Sequence, residues 1–278
     1  MGLLHKLFTG IARKSGKKIG INSKEKVYGS IGESYVYAAL KKGLPNAEIK
    51  RNVLINYAGS RAETDCLVVY KNKLFTVEIK SWKGDVSETE DGFISVKQGK
   101  YGEAYYTEQH KSPFKQMRRA SYLLKESTGS KPWINETVIF PAASSVAAFS
   151  EEFFVNTDDL INHIITGGRT SDYKEIKKCF DMCTEADRIY AEYLTEGFRT
   201  CIVDADSLPF SWGNMRIKKS DIDYIKVKHN FSYDELNIVL RDGRRFSCKP
   251  ENMKIRVLDN ENIEEYSISK IDRIEIGR

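Results

Sequence analysis

The sequence predicts an α/β unit followed by a smaller all-β unit, and three observations carry that prediction. From residue 29 to residue 141 the apolar pattern runs from helical spacing to three strand-like stretches, then to a capped helix, then to one more strand. Beyond Thr200 it becomes a series of short alternating runs separated by turn residues. At 278 residues the chain is long enough to close a core in each part.

The basic charge is concentrated at one end. Residues 1–28 hold Lys6, Arg13, Lys14, Lys17, Lys18, Lys24 and Lys26 against Glu25 alone, a surplus of +6 in a chain whose net charge is +5. Leu3, Leu4, Leu7, Phe8 and Ile11 share one helical face there, which predicts a short amphipathic helix docked on the body or on a second subunit. A nucleic-acid arm and a membrane-surface contact are the alternatives. The apolar run is too short for a transmembrane span or a signal peptide. Five cysteines without paired spacing suit a reducing cytoplasm, and Cys179 and Cys183, four apart on a helix, read as core thiols. His5, His110, His163 and His229 are scattered, and no phosphate-binding G-x-x-x-x-G-K-[ST] loop or G-x-S-x-G elbow is present. A His-built metal site and a serine hydrolase are therefore disfavoured.

The elements follow in order. IGESYVYAALKKGLP predicts a helix over 29–42, with Ile31, Tyr35, Ala38 and Ala39 as its apolar face and Gly43 and Pro45 ending it. KRNVLINY, TDCLVVY and KLFTVEIK read as three strands. The polar stretch 83–110 contains a further hairpin at GFISV. Ser112 and Pro113 supply an N-cap and a first-turn proline for the helix FKQMRRASYLLKES. ETVIFP is a strand, EEFFV a short strand and TDDLINHII a short capped helix. TGGRTSD reads as a hinge into a helix over 172–195. The strands after Thr200 are TCIVDA, DYIKVK, LNIVL, RRFSCK, KIRVLD, EEYSIS and DRIEI, with a hairpin turn at Asp242-Gly243. SDIDYIKV and SKIDRIEI echo each other as S-x-I-D-x-I-x-[VI], and each follows a run ending in Asp, CIVD and RVLD. That echo points to a duplicated β unit.

The second and third strands carry the chemistry. If Lys71-Asn72 is a two-residue turn, Tyr70 faces Lys73, and Asp65 falls opposite Glu78. Lys80 lies on the same face as Glu78. Opposed like charges destabilise a strand pair, so the arrangement calls for a divalent cation, with two carboxylates, a strand carbonyl and water as oxygen ligands. Lys80 beside it could orient or deprotonate an attacking water, or stabilise negative charge in the transition state. The bland reading of Glu-x-Lys on a strand is a solvated ion pair, and the Asp65 register is what argues against it.

The runs GSIGESYVYAAL, ETDCLVVY, FTVEIKSWKGDV and SPFKQMRRASYLL together resemble the nuclease-related domain (NERD) of the PD-(D/E)XK nuclease superfamily, over roughly residues 26–165. The resemblance implies a PD-(D/E)XK-like αβββαβ core. It implies a Mg²⁺- or Mn²⁺-dependent phosphodiesterase acting on DNA, of endonuclease type. Asp65 and Glu78 would hold the metal, with the Ile79 carbonyl as third protein ligand. Lys80 would be the catalytic lysine, Glu33 an outer carboxylate, and Gln116 a positioning group. The β-rich tail lies outside what that family pattern predicts.

Lys97, Lys100, Tyr101, Tyr105, Tyr106, Lys111, Lys115, Arg118 and Arg119 interleave cations and aromatics around this site. Lys97, Lys100, Tyr101, Lys115, Arg118 and Arg119 are the candidate substrate contacts, for phosphate neutralisation and base stacking. The expected organisation is a basic arm over 1–28, a nuclease domain over 29–165, a linker and helix over 166–199, and a β-rich domain over 200–278. The expected protein is a cytoplasmic nuclease that assembles, if at all, through the arm or the β-rich domain. The rival is a non-catalytic nucleic-acid-binding or assembly protein built on the same fold.

Overall fold

A computed structural model describes residues 24–98, 104–148, 153–191, 198–208, 210–212, 215–229, 233–249, 253–259 and 262–277. The apolar stripe of the basic arm lies outside them, as do Lys100 and Tyr101. Residues 24–28, assigned to the arm on charge, are instead the start of the first helix. No helix among the described residues is long and apolar enough to cross a membrane. Their contacts divide at Cys183 and Thr184 into two compact units.

The first unit is a mixed α/β structure. It begins with α1 (Lys24–Gly43), followed by the antiparallel strands β1 (Glu48–Tyr57), β2 (Ser60–Tyr70) and β3 (Lys73–Ile79). An insertion of three strands comes next: β4 (Gly84–Thr89), β5 (Gly92–Gln98) and β6 (Ala104–His110). Then come α2 (Pro113–Thr128), β7 (Ile134–Ile139), β8 (Ala143–Ala147), β9 (Phe153–Phe154), α3 (Thr157–Thr166) and α4 (Tyr173–Met182). β7 lies parallel to β3, and β9 parallel to β7, so this sheet runs β1-β2-β3-β7-β9. A smaller sheet runs β6-β5-β4-β8.

Strict alternation along the central strands separates two apolar layers. Leu67, Val69 and Leu74 pack with Ala120, Leu123 and Leu124 of α2 and Ile176, Cys179 and Phe180 of α4. Cys66, Val68, Phe75 and Val77 pack with Val36 and Leu40 of α1 and Leu160 and Ile164 of α3. A third cluster, Val86, Phe93, Phe114, Met117, Val138 and Phe140, joins the insertion to the start of α2. The buried face of α1 is thus Gly32, Val36 and Leu40; of the expected Ile31, Tyr35, Ala38 and Ala39 stripe, Tyr35 packs against this core only partly buried, Ala38 is exposed, and the Ile31 side chain lies outside those described. Small alanines beside tyrosines mimic an apolar face, but larger aliphatic side chains bury more area and win.

Local chemistry explains the helix ends. Ser112 caps α2 by accepting the Lys115 amide, with Pro113 in the first turn, as its sequence predicts. The α4 helix is shorter than the predicted 172–195 and stops at Cys183. Its Lys50 neighbour donates to the carbonyls of Phe180 (2.6 Å) and Cys183 (2.7 Å), closing the C-terminal turn. Lys73 does the same for α3, donating to Ile164, Ile165 and Gly167 from a buried position. Cys179 and Cys183 are buried, and burial pushes the Cys183 thiol up to about 12, so both remain inert core thiols.

The second unit is all-β. Its elements are β10 (Thr184–Glu185), β11 (Asp187–Tyr190), β12 (Phe198–Val203), β13 (Phe210–Trp212), β14 (Met215–Ile217), β15 (Ile222–His229), β16 (Asp234–Leu240), β17 (Arg245–Cys248), β18 (Lys254–Asp259), β19 (Asn262–Ser267) and β20 (Arg273–Glu275). The main sheet is eight-stranded, in the order β17-β16-β15-β20-β11-β12-β18-β19. The predicted 166–199 linker therefore divides differently: 173–182 is a helix of the first unit, and β11 is a strand of the second.

The two echoed segments take the same form. Lys219–Asp221 and Ile268–Lys270 are single 3₁₀ turns, each leading into a strand, β15 and β20. These strands pair antiparallel with Ile225 opposite Ile274, the same position of the motif in both copies. The Val227 amide donates to Asp272 O at 2.9 Å, and the Ile276 amide to Asp223 O at 3.1 Å, a reciprocal pair. CIVD and RVLD are likewise neighbours, with Ile202 facing Leu258 and Val203 facing Val257. A local two-fold relation thus runs through the Ile225–Ile274 pair, and the repeated isoleucines fill one core.

Candidate functional site

The β2–β3 register is the one the turn arithmetic predicts, with Tyr70 opposite Lys73 and Cys66 opposite Val77. It stops there. In an unbroken ladder the Ile79 amide would donate to the Thr64 carbonyl. It donates instead to the Asp65 carboxylate, at 2.7 Å. On the other side Asn52 has φ 50° and the β1–β2 pairing skips Asp65. Asn is among the few residues that accept this left-handed backbone. Asp65 and Glu78 are therefore not a flat cross-strand pair; the strand carrying Asp65 is released locally, and its carboxylate turns to cap the end of β3.

Glu78 is buried, and its Oε1 accepts from Lys80 Nζ at 2.6 Å. Lys80 also donates to Gln116 Oε1 at 3.3 Å, which ties the first turn of α2 to the end of β3. Glu33 on α1 adds a third carboxylate whose field reaches both Glu78 and Lys80. Five of the predicted residues, Glu33, Asp65, Glu78, Lys80 and Gln116, thus act on one another, with Ile79 between them in the chain. Two neighbours escaped the sequence reading although they follow Lys80 directly. Ser81 has its buried hydroxyl where a Cβ on Gly32 would come within 1.8 Å, so the glycine lets α1 carry Glu33 against this segment. Trp82 stacks on His110 at 4.0 Å and 10°, and His110 bonds Ser95 at 2.9 Å. The only signal for these was their position beside the motif. Gly84 serves the backbone: its φ is 87°, and a Cβ would meet Val96 O at 2.1 Å.

The electrostatics are unbalanced. Burial pushes the Glu78 carboxyl up to about 8; Asp65 and Glu33 add to the rise, and Lys80 opposes it. Burial pulls Lys80 down, but Glu78 and Asp65 outweigh it and hold the ammonium above its ordinary value. Glu78 Oε2 is buried with no hydrogen-bond partner among the described residues. A buried carboxylate oxygen in that state takes up a proton or a cation. Among the described residues no three His, Cys, Asp or Glu side chains come together as a metal-holding group. The donors present suit a hard cation that keeps most of its water, not a cage built by protein alone.

The predicted substrate contacts are more dispersed. Lys115, Arg118 and Arg119 are exposed on α2, beginning beside Gln116. Lys97 lies on β5, its ammonium 4.7 Å from the ring of Tyr106 on the facing strand.

No curated protein and no solved structure matches the chain. A family model, NERD, described as the nuclease-related domain, does match, over residues 28–141. That span contains all six predicted site positions, and over it the chain is similar to the nuclease-related domain.

Proposed function

We propose that the first unit is a metal-dependent nuclease of the PD-(D/E)XK type, hydrolysing DNA phosphodiester bonds internally. The observation that carries this reading is the pair of buried Glu78 and half-buried Lys80 beside Asp65, within a nuclease-related stretch, with Glu78 Oε2 lacking a donor among the described residues. A helix, three antiparallel strands, a helix and a parallel strand in that order also support it.

Asp65, Glu78 and the Ile79 carbonyl would hold Mg²⁺ or Mn²⁺. When bound, such an ion polarises the phosphate and acidifies a water. The chain's own groups then have separate tasks. Lys80, held charged by Glu78 and Asp65, is poorly suited to take a proton and well suited to stabilise negative charge building on the phosphate oxygens. Gln116 holds the Lys80 ammonium from the α2 side. Glu33 would hold water at the outer edge. Water oxygen bonds to phosphorus as the bond from phosphorus to the sugar oxygen breaks.

The test is incubation with labelled DNA and RNA, single- and double-stranded, in Mg²⁺, Mn²⁺ and EDTA. Cleavage of DNA in either metal, absent in EDTA and absent in Glu78→Gln, supports the reading. Cleavage that persists in EDTA overturns it, and metal-independent binding without cleavage favours a pure binding module.

A further inference from the structure

We infer that the exposed face of α2 is a binding track for single-stranded nucleic acid, with Tyr122 stacking on an unpaired base; this rests on the nuclease reading for its substrate class. The helix buries Phe114, Met117, Ala120, Ser121, Leu123 and Leu124, which leaves Lys115, Gln116, Arg118, Arg119 and Tyr122 on the outside. Lys115, Arg119 and Tyr122 follow at i, i+4 and i+7, a single stripe about 10 Å long at 1.5 Å per residue. The track starts at the site, because Gln116 is both its edge and the Lys80 partner.

Two properties identify the occupant. The first is charge: α2 carries Lys115, Arg118, Arg119 and Lys125 against Glu126, with no acid in its first turn. Lys115, in the first turn, opposes the helix dipole, so its placement there costs helix stability and suits an anionic partner. Lys115 and Arg119 make no ion pair with another described residue. The second is Tyr122, 61% exposed, a ring in water on the same stripe as the cations. Phosphates alone would need only the cations. In duplex DNA the base faces are covered by their neighbours, so a ring beside the phosphate track adds affinity only where a base is unstacked. Lys97, another predicted substrate contact, already faces Tyr106 across β5 and β6.

The experiment is fluorescence anisotropy with the full-length protein in EDTA, so that binding is read without cleavage. The probes are a labelled oligothymidylate, an abasic strand of equal length, and a duplex. Tyr122→Ala should weaken oligothymidylate binding about 10-fold, while Tyr122→Phe, which keeps the ring, stays within about 2-fold. On the abasic strand and the duplex, Tyr122→Ala should change binding less than about 2-fold. Lys115→Ala/Arg119→Ala should lower the salt slope on both single strands by about 1.4, at ~0.7 per lost phosphate contact. Circular dichroism should be unchanged, since all three side chains are exposed. An unchanged oligothymidylate affinity in Tyr122→Ala, or an equal loss on the abasic strand, overturns the stacking role. An unchanged salt slope overturns the track. Absence of cleavage by the wild type in both Mg²⁺ and Mn²⁺ would sink the nuclease reading instead, and it leaves these binding results readable.

Discussion

The Asp65 carboxylate accepts the Ile79 amide at 2.7 Å, the hydrogen bond that the Thr64 carbonyl would take if β2 and β3 stayed paired. One side chain therefore both ends a ladder and faces the proposed reaction. Structural and chemical roles can be separated by choice of substituent.

Asp65→Asn keeps an acceptor for Ile79 and loses the charge, so folding stability should change little while cleavage is lost. Asp65→Ala also removes the acceptor and leaves the amide unpaired, at a cost of about 1–3 kcal/mol. Urea denaturation beside a cleavage assay checks both. Normal turnover in Asp65→Asn would remove Asp65 from the site.

Glu78 makes stability depend on pH. Its carboxyl stands near 8 in the fold against an ordinary 4.5, so the folded state binds the extra proton between those values. The resulting stabilisation is complete below about 4.5 and is lost as pH rises through about 8. In EDTA, wild-type stability should therefore fall over that window, whereas Glu78→Gln should lose less. Added Mg²⁺ should restore the wild type at the alkaline end, with proton release on binding. Parallel pH profiles for the two proteins would contradict the buried-proton account.

Lys80→Met should reduce turnover by orders of magnitude with little change in KM, because the ammonium acts on charge that develops in the transition state. It also leaves Glu78 without its ion-pair partner, so the Glu78 titration should move further upward. A variant with normal turnover and a raised KM would make Lys80 a substrate-binding group instead.

In the second unit, Ile225 and Ile274 face each other and are both fully buried. Alanine at either position should cost a similar amount, about 2–5 kcal/mol. The double variant should depart from additivity, since the two side chains adjoin and share one cavity. Additive, unequal losses measured by thermal or urea unfolding would argue against a shared local axis.

The element order was legible in the sequence because it depends on local chemistry. Periodicity placed α2 and the central strands, the Ser112–Pro113 signal started α2, and the Lys71-Asn72 turn set the β2–β3 register. Glu78 and Lys80, two apart on one strand, had to share a face. Tertiary structure decided the rest. Whether α1 turned its Tyr35 side or its Val36 side inward depended on the sheet it packs against and on the close approach that Gly32 permits. The end of α4 depended on Lys50, which lies 130 residues from Phe180 in the sequence. Asp65 leaving the ladder to cap Ile79 depended on competition between a side-chain and a main-chain acceptor, which no strand pattern records. The upward shift of the Glu78 carboxyl came from burial and from two other carboxylates, one of them on a separate helix. Spacing along the chain determines which face a residue occupies; desolvation and the field at that face arise only when distant segments close over it.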